Sequence, residues 1–476
     1  MTVSFSDLGV PRTLVASLND NGITSPFPIQ VDTLPDTLAG RDVLGRGRTG
    51  SGKTLAFSIP LTARLAGGAT RAAGRPRGLV LAPTRELATQ IAAVVEPLAR
   101  VAGLRVTTIF GGVSQNRQVD ALRRGVDIVI ACPGRLEDLM RQKFVTLDAV
   151  EITVLDEADH MADLGFLPGV TRIMNATPKG GQRLLFSATL DNGVDKLVTR
   201  FLRNEVLHSV DEAHSPVAAM THHVFDVDNA DTKKDLVRTL ASGTGRRILF
   251  MRTKHQARKL ARQLTESGIP AVDLHGNLSQ NARDRNLAAF SSGEARVLVA
   301  TDVAARGVHV DDVELVVHVD PPAEHKAYLH RSGRTARAGS TGDVVTVVLP
   351  EQRKDLAVIM RKAAIKVTPV RVTAKSEHVL DLVGEIAPHV APSAKQAAAP
   401  SGGASRRPAR RGGSGATAQR GARQHGGGAA RQHGGGAARQ QSSSRQEQPA
   451  ARQERGAQPG SRRRRPNRTS ATVARG

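Results

Sequence analysis

Eight consecutive residues in this chain have the spacing of a phosphate-binding loop. The segment Gly47-Arg48-Thr49-Gly50-Ser51-Gly52-Lys53-Thr54 fits the pattern GxxxxGK[ST], in which glycines let backbone N–H groups face phosphate oxygens. Lys53 adds positive charge there, and the Thr54 hydroxyl is suited to Mg²⁺. The segment lies between the apolar run DVLG and the helical pattern TLAFSIPLTARLA. A strand followed by a loop and a helix is the setting that this chemistry needs.

Acidic residues that would complete such a site follow the apolar run ITVL. Asp156-Glu157-Ala158-Asp159 begins where that strand should end, at the carboxyl edge of a parallel sheet, where ligands bind. Asp156 is suited to hold the Mg²⁺ shell, largely through water, and Glu157 to accept a proton from an attacking water. An acidic surface turn would be the better interpretation without the phosphate loop. Together the two motifs predict a nucleoside triphosphatase.

The elements that must position these residues are short apolar strands that alternate with helical patterns. The first series is 78–83, 105–110, 127–132, 151–156 and 183–189, and the second is 222–227, 247–251, 271–275, 296–301, 314–320 and 343–349. Strands that alternate with helices are typical of a parallel, doubly wound sheet. The sequence therefore predicts an α/β fold with two domains of similar size.

The charge is concentrated at one end of the chain. The formal net charge is +23, and residues 391–476 hold 18 Lys+Arg against 2 Asp+Glu. This segment is rich in Ala, Gly, Arg, Gln and Ser and repeats ARQHGGGA at 422–429 and 430–437. A Gly-rich repeat of this kind cannot bury a core, so we predict a disordered, basic tail.

The rest of the composition excludes several classes of protein. With Cys132 as the single cysteine, neither an internal disulfide nor a zinc site made of several thiolates can form. The start MTVSFSDLGV lacks the features of a signal peptide, and no apolar stretch approaches 18 residues, which argues against secretion and membrane spanning; no membrane partner is expected. With only 3% aromatic residues, stacking platforms for bases are not expected. If the protein binds a nucleic acid, it should do so mainly through the backbone of that nucleic acid.

A longer series of motifs surrounds the two phosphate-site motifs. They are GITSPFPIQ (22–30), PTRELA (83–88), Gly111-Gly112, PGR (133–135), SAT (187–189), ILFMRTK (248–254), HGNLSQNAR (275–283), ATDVAARG (300–307) and HRSGRTARAG (330–339). In this order and spacing, over about residues 3–375, they resemble the DEAD-box RNA helicases, which are ATP-dependent proteins of helicase superfamily 2. Asp156-Glu157-Ala158-Asp159 spells the motif that gives the family its name.

The resemblance implies roles for further residues around ATP. Gln30 would contact the adenine edge, Phe5 and Ile23 would support that part of the site, and Asp302 would reach the nucleotide from the second domain. Ser187 and Thr189, with Asp159 and His330, would link the nucleotide state to domain closure. Arg334 and Arg337 would act as arginine fingers on the γ-phosphate. A guanidinium that crosses an interdomain cleft stabilises transition-state charge only when the domains close.

The resemblance also implies an RNA-binding surface on both domains. The residues concerned are Pro83, Thr84, Arg85, Gly111, Gly112, Pro133, Gly134 and Arg135 on the first domain and Gln280, Arg283 and Thr301 on the second. The chain departs from the family pattern at five positions, which are Ile23, Phe27, Gly47, Cys132 and His309. Ile23 stands where Phe or Tyr often lies against the adenine, so apolar contact should replace base stacking. Phe27 stands where Thr or Ser is common.

These inferences predict the following organisation: a Q-motif region at 1–32, RecA-like domains at 33–206 and 221–380, a linker at 207–220 and the basic tail at 381–476. The expected activity is RNA-stimulated hydrolysis of ATP, with Mg²⁺, that unwinds short duplexes or remodels RNA and RNA–protein complexes. Two alternatives are an ATP-gated RNA clamp or annealing factor, and a DNA helicase of the same superfamily.

The expected location is the cytoplasm, although the run Arg462–Arg465 also suits a nuclear localisation signal. The expected partner is RNA, bound through its backbone and tethered by the tail. Partners in ribosome assembly or RNA degradation, and the oligomeric state, stay open.

Overall fold

The computed structural model describes residues 3–47, 50–68, 72–190, 193–210, 220–305, 310, 312–336 and 341–391. Arg48, Thr49, His309, Arg337 and nearly all of the basic tail lie outside the described residues. The described part contains two seven-stranded sheets in tandem, which belong to one compact unit. The α/β fold and the parallel sheets predicted from the sequence are confirmed.

Seven parallel strands form the first sheet, in the order β3-β4-β2-β5-β6-β1-β7. They are β1 (Val43–Arg46), β2 (Gly78–Leu81), β3 (Val106–Ile109), β4 (Ile128–Ala131), β5 (Ile152–Leu155), β6 (Gln182–Ser187) and β7 (Val206–Ser209). The helices of this half are α1 (Arg12–Asp20), α2 (Pro28–Leu38), α3 (Lys53–Leu65), α4 (Arg85–Val101), α5 (Asn116–Arg123), α6 (Pro133–Arg141), α7 (Ala158–Asp163), α8 (Leu167–Asn175) and α9 (Val194–Phe201).

The second sheet repeats this plan, in the order β10-β11-β9-β12-β13-β8-β14, and is also parallel. Its strands are β8 (Met220–Asp226), β9 (Arg246–Phe250), β10 (Ala271–Leu274), β11 (Val297–Ala300), β12 (Val313–His318), β13 (Gly342–Val348) and β14 (Val370–Arg371). Its helices are α10 (Ala230–Leu240), α11 (Lys254–Glu266), α12 (Gln280–Ser291), α13 (Asp302–Ala305), α14 (His325–Ser332), α15 (Arg353–Lys362) and α16 (Glu377–Val383), with a 3₁₀ turn at Pro350–Gln352.

Each sheet is buried on both faces. In β2, Leu79 and Leu81 belong to one apolar cluster while Val80, with Ala82 just after the strand, belongs to another. Successive side chains of a strand point to opposite faces, so a continuous apolar run needs a layer of helices on each side. The second sheet has the same alternation, and its two faces also belong to different clusters. A layer of helices therefore covers each face of each sheet.

Local sequence determines where several of these helices start. The Thr84 hydroxyl accepts the N–H of Leu87 at 3.2 Å and caps α4, directly after β2. Ser279 caps α12 in the same way, and Pro133 occupies the first turn of α6. The loops between these strands and helices therefore lie at the carboxyl edges of the sheets, where the predicted site residues are.

Two edge strands were not predicted. β7 and β14 are short and largely exposed, so neither has the buried apolar run that identifies the central strands. β7 extends to Ser209, three residues into the predicted linker, and α16 extends beyond residue 380. The domain boundaries stay a prediction. Within the described residues, every helix is too short or too polar to cross a membrane.

Candidate functional site

The phosphate loop connects β1 to α3. Gly50 and Gly52 have φ of +91° and +90°, in the left-handed region that favours glycine, and Gly52 immediately precedes α3. Lys53 is 7% exposed, and its Nζ donates a hydrogen bond to the Gly47 carbonyl. The Gly47 N–H donates to the Ser187 carbonyl at 3.1 Å. The amino terminus of α3 and the Lys53 ammonium thus place positive charge at one point, as an anion site requires.

Asp156 lies at the carboxyl end of β5 and is buried. Its Oδ1 accepts the N–H of Glu157 at 3.0 Å. Burial raises the pKa of the Asp156 carboxyl to about 7, although the nearby Lys53 opposes this rise. A buried carboxylate that is short of positive charge is stabilised by a cation.

Glu157 is buried and holds an unusual backbone conformation, with φ of +50°. A residue other than glycine is uncommon in this region, and such strain is concentrated at functional sites. Burial raises the pKa of Glu157, but His160, Arg334 and Lys53 together lower it to about 2. The His160 Nδ1 lies 2.7 Å from Glu157 Oε2. Glu157 is therefore an ionised acceptor at neutral pH.

A hydrogen-bond network joins the acidic motif to the end of β6. Asp159 Oδ2 accepts the Thr189 N–H at 3.0 Å and the Thr189 hydroxyl at 3.3 Å. The Asp159 N–H donates to Ser187 Oγ at 3.2 Å, and the Ser187 hydroxyl donates to the Thr189 carbonyl at 2.7 Å. The Ser187 carbonyl also accepts a hydrogen bond from the Gly47 N–H. A continuous series of hydrogen bonds therefore connects the phosphate loop, the SAT segment and the acidic motif.

The second half brings α14 and the residues after it to the same place. Arg334 is 5% exposed, and its Nε–H donates to the His330 carbonyl at 3.1 Å. Burial lowers the pKa of the Arg334 guanidinium, whereas the charge of Glu157 raises it. The rings of His330 and His160 lie 5.1 Å apart. Residues of both halves thus meet at Glu157, while Arg337 lies outside the described residues.

Arg331 is a residue of this site that the sequence analysis missed. It is 3% exposed, and its Nη2 donates to Asp302 Oδ2 at 2.8 Å while its Nη1 donates to the Asp320 carbonyl at 2.7 Å. Its guanidinium also lies 5.2 Å from the centre of the Phe250 ring. Arg331 therefore fixes Asp302 at the carboxyl end of β11. In the sequence, only the position of Arg331 inside the motif HRSGRTARAG indicated that it could belong to this site.

Gln30 connects the start of α2 to the phosphate loop. Its side chain is fully buried, its Oε1 accepts the Phe27 N–H at 2.9 Å, and its Nε2 donates to the Gly52 carbonyl at 2.9 Å. Phe5 is 2% exposed and packs in an apolar cluster with Val10, Leu14, Leu18, Leu34, Ile59 and Leu98. Ile23 is half-buried and packs against this cluster.

The residues expected to contact RNA lie at the carboxyl edges of the two sheets. The first-half residues follow β2 (Pro83, Thr84, Arg85), β3 (Gly111, Gly112) and β4 (Pro133, Gly134, Arg135), and those of the second half are on α12 (Gln280, Arg283) and after β11 (Thr301). Both guanidinium nitrogens of Arg135 donate to the Val113 carbonyl at 3.3 Å. Gly112 has φ of +75°, and a Cβ there would lie 1.9 Å from Arg85 Nη1. Only glycine lets Arg85 occupy that position.

Side chains of the two halves also bond directly to each other. Arg85 Nη1 donates to Gln280 Oε1 at 2.9 Å, and Arg283 Nε donates to Glu86 Oε1 at 2.6 Å. Gln280 Nε2 also donates to Glu86 Oε1, at 3.2 Å. Glu86 is 8% exposed and was not predicted, because an acidic residue does not suit a phosphate backbone. Three of the expected RNA contacts are thus part of a cluster that joins the halves.

Family models match both halves of the chain. The model described as DEAD/DEAH box helicase matches residues 27–197, and the one described as helicase conserved C-terminal domain matches residues 231–339. The chain is 39% identical over 368 residues to the chloroplastic DEAD-box ATP-dependent RNA helicase 3B of Zea mays, which covers 75% of this chain and 49% of that protein. It is 42% identical over 352 residues to the ATP-dependent RNA helicase RhlB of Xanthomonas oryzae pv. oryzae, covering 72% and 61%.

Solved structures give the same result for the fold. S. cerevisiae Dbp5 bound to RNA and ADP BeF3 matches with a TM-score of 0.70 and 29% identity, over 80% of this chain and 100% of that chain. Mss116p bound to ssRNA and AMP-PNP matches with a TM-score of 0.68 and 28% identity, over 81% and 83%. With the motifs and the site geometry, these matches establish that the chain belongs to the DEAD-box helicase family. It spans about half to three fifths of the length of the curated relatives named above.

Proposed function

We propose that this chain is an RNA-stimulated ATPase that unwinds short RNA duplexes or remodels RNA and RNA–protein complexes through closure of its two halves. One observation carries the proposal: the His160 ring, which lies 2.7 Å from Glu157 on the first half, is 5.1 Å from the His330 ring on the second half, and the charge of Arg334 also acts on Glu157 there. Residues suited to hydrolysis thus come together only when the halves meet. Hydrolysis would then depend on closure.

The nucleotide would be held by the first half and contacted by the second. The backbone N–H groups of residues 47–54, including Arg48 and Thr49, would bind phosphate oxygens, and Lys53 would bind the β- and γ-phosphates. Gln30 would contact the adenine edge, supported by Phe5 and Ile23. Asp302, held by Arg331, would reach the nucleotide from the second half.

The residues present fit a Mg²⁺ ion that accompanies ATP. Asp156 is a buried carboxylate whose pKa is raised by burial, and Thr54 offers a hydroxyl on the first turn of α3. Within the described ranges, no group of three or more His, Cys, Asp or Glu residues is placed to hold a metal ion. Bound near Asp156 and Thr54, Mg²⁺ would neutralise charge that develops on the phosphates.

Hydrolysis would rest on Glu157 and on two arginines. Glu157 would orient the attacking water and accept its proton, while Arg334 and Arg337 would stabilise negative charge on the γ-phosphate. Asp159, Ser187, Thr189 and His330 would transmit the presence of the γ-phosphate to closure. The network between Asp159 and the SAT segment supports this role, because it also reaches the phosphate loop through Gly47.

RNA would lie along the carboxyl edges of both sheets. When the halves are closed, Arg85, Arg135, Arg283 and the neighbouring glycines would together bind the backbone of one RNA strand without reading its bases. Closure would bend that strand and separate it from its complement. The basic tail would act as an RNA tether, and cytoplasmic location stays a prediction.

One comparison tests the proposal against its alternatives. ATP hydrolysis by the full chain would be measured with matched RNA and DNA oligonucleotides, together with strand release from a short RNA duplex. We expect stimulation by RNA well above that by DNA, and ATP-dependent strand release. Equal stimulation by DNA would favour a DNA helicase. Slow hydrolysis without strand release would favour an RNA clamp.

A further inference from the structure

Phe27 is the one aromatic residue among the large hydrophobic side chains that are exposed in the described part of the chain, with 44% of its surface accessible. The chain has no Trp, one Tyr and 11 Phe, so aromatic rings are scarce. An exposed ring in such a protein contributes little to the core. Contact with a bound molecule therefore explains its position better than packing in the core does.

Local structure also gives no reason for an aromatic residue at this position. Phe27 is the residue before the first turn of α2, where Ser, Thr, Asp and Asn are preferred because their side chains accept a backbone N–H. A phenyl ring cannot accept such a bond, and no side-chain cap is present. Phe27 thus leaves the helix without a side-chain cap while exposing apolar surface to water.

The position of Phe27 relates it to the phosphate loop. Its N–H donates to Gln30 Oε1 at 2.9 Å, and the same Gln30 side chain donates to Gly52. A Cβ built on Gly52 would lie 3.0 Å from Phe27 Cβ and 3.1 Å from Phe27 Cγ. The ring is therefore attached directly beside the amino terminus of α3. The ring is thus within reach of the base of a nucleotide whose phosphates bind there.

Ile23 is turned toward the protein instead. It packs against the apolar cluster of Phe5, Val10 and Leu14 and is half-buried. It offers a branched aliphatic surface but no flat face on which a base could stack. Phe27 and Ile23 thus differ in both exposure and shape.

We propose that Phe27 is the base-stacking residue of the nucleotide site. This inference rests on the proposed function, because it requires that the phosphate loop holds a nucleotide. Every base has a π-face, so a stacking ring adds affinity for all bases alike. The buried Gln30 amide bonds to both Phe27 and Gly52, and so holds the ring beside the phosphate loop. Gln30 would have to exchange one of these bonds to distinguish one base edge from another.

The test compares four full-length proteins, namely the parent, Phe27→Thr, Phe27→Leu and Phe27→Tyr. Dissociation constants for ADP, GDP and pyrophosphate would be measured by titration calorimetry. Loss of stacking should weaken ADP and GDP binding about 5- to 100-fold in the Thr and Leu variants, and Tyr should retain parental affinity. Pyrophosphate lacks a base, so its affinity should not change in any variant.

Thermal unfolding provides a second readout that a purely structural role would not give. Thr at position 27 can cap α2, so Phe27→Thr should unfold at a temperature equal to or above that of the parent while it binds ADP more weakly. Parental ADP affinity in the Thr and Leu variants would overturn the stacking role and leave the proposed function intact. An equal loss of ADP and pyrophosphate binding would also overturn it, since the phosphate loop would then be damaged. A parent that binds neither nucleotide would overturn both.

Discussion

Glu157 combines two properties that suit a group that handles a proton during hydrolysis. It is ionised, because His160, Arg334 and Lys53 lower its pKa to about 2 against the effect of burial, and its backbone is strained. A low pKa keeps the carboxylate free of protons in the resting enzyme. A pKa this low also makes Glu157 a weak base, so it would act mainly by orienting the attacking water and would accept its proton only late, once hydrolysis has made that proton strongly acidic.

Glu157→Gln tests this role. The amide keeps the shape of the side chain but cannot accept a proton, so nucleotide binding should persist while hydrolysis falls about 10²- to 10⁴-fold. Single-turnover phosphate release in saturating RNA would measure the effect, with the exposed Glu96→Gln on α4 as a control. Hydrolysis by Glu157→Gln at the parental rate would show that Glu157 is not the base.

Arg334 should affect the rate of ATP hydrolysis but not the affinity for nucleotide in the absence of RNA. Its guanidinium is buried and interacts with Glu157, yet it belongs to the second half. We expect Arg334→Ala to leave ADP affinity in the absence of RNA close to parental and to lower RNA-stimulated turnover by up to about 10³-fold. Arg361→Ala removes an exposed arginine of the same half and should change neither value. Normal turnover in Arg334→Ala would rule out the finger role.

At the scale of elements, the sequence was sufficient for the central strands and for the loops that follow them. Strands such as β2, β4 and β5 are continuous apolar runs, and the residues after each run must lie at the carboxyl edge of the sheet. Edge strands β7 and β14 lack this signal because they are half-exposed or exposed. Whether a charge is buried was harder to predict, since it depends on partners that are distant in sequence.

Arg331 and Glu86 illustrate that difficulty. Arg331 lies within the motif that supplied His330, Arg334 and Arg337, but nothing in the sequence distinguishes an arginine that faces the core from one that faces the cleft. Glu86 is buried because Arg283 and Gln280, almost 200 residues later, surround its carboxylate. Such pairs become visible only when the elements are placed in three dimensions.

Arg331→Met should destabilise the second half. The substitution keeps much of the side-chain volume but leaves Asp302 and the Asp320 carbonyl without their shared donor. Breaking a buried ion pair by removing one partner typically costs about 3–5 kcal/mol. Asp302 is one third exposed, so water can partly replace its lost partner. We therefore expect the free energy of unfolding to fall by about 2–3 kcal/mol, at or below the lower limit of that range. Urea unfolding would measure it.

The control for that measurement is Arg238→Met on α10. Arg238 is exposed and pairs with Asp235 at 3.3 Å, so its removal should change stability little. Equal stabilities for the parent and Arg331→Met would mean that the bonds of Arg331 to Asp302 and to the Asp320 carbonyl do not stabilise the second half.

At the scale of the whole molecule, the two halves are joined by a cluster that uses the same side chains that RNA is expected to contact. Arg85, Gln280 and Arg283 all bond across the cleft or to Glu86. RNA that binds these residues would therefore act on the contact between the halves. If RNA binds the closed state better than an open one, such shared use would couple RNA binding to closure.

Glu86→Gln weakens this cluster without altering the phosphate site. The Arg283–Glu86 pair is almost fully buried, with 11% and 6% of the side chains exposed, so loss of the charge should disfavour closure. We expect a higher RNA concentration for half-maximal ATPase, with ADP affinity unchanged in the absence of RNA. Glu137→Gln weakens a pair with the exposed Arg172 and serves as the control. The cluster would have no part in closure if both variants needed as much RNA as the parent.

Much of the net positive charge of the chain lies in the basic tail, away from the residues assigned to the site. Residues 391–476 carry 18 of the 67 Lys and Arg residues but only 2 of the 44 acidic ones, and they follow every residue assigned to the site. Their deletion should lower RNA affinity and its salt dependence while ATPase in saturating RNA persists, because each phosphate neutralised on a single strand contributes about 0.7 to the slope of log K against log salt. A tether acts by raising the local concentration of RNA near the core.

A second variant separates charge from length: the 18 Lys and Arg residues of the tail are changed to Gln in the full chain. If the tail acts through phosphate contacts, this variant and the deletion should show the same reduced slope, since neither keeps the charges that displace counterions. Binding would be measured by fluorescence anisotropy over a range of salt concentrations. Slopes and affinities equal to those of the parent in both variants would show that the tail does not bind RNA and would leave the closure of the two halves as the main source of affinity.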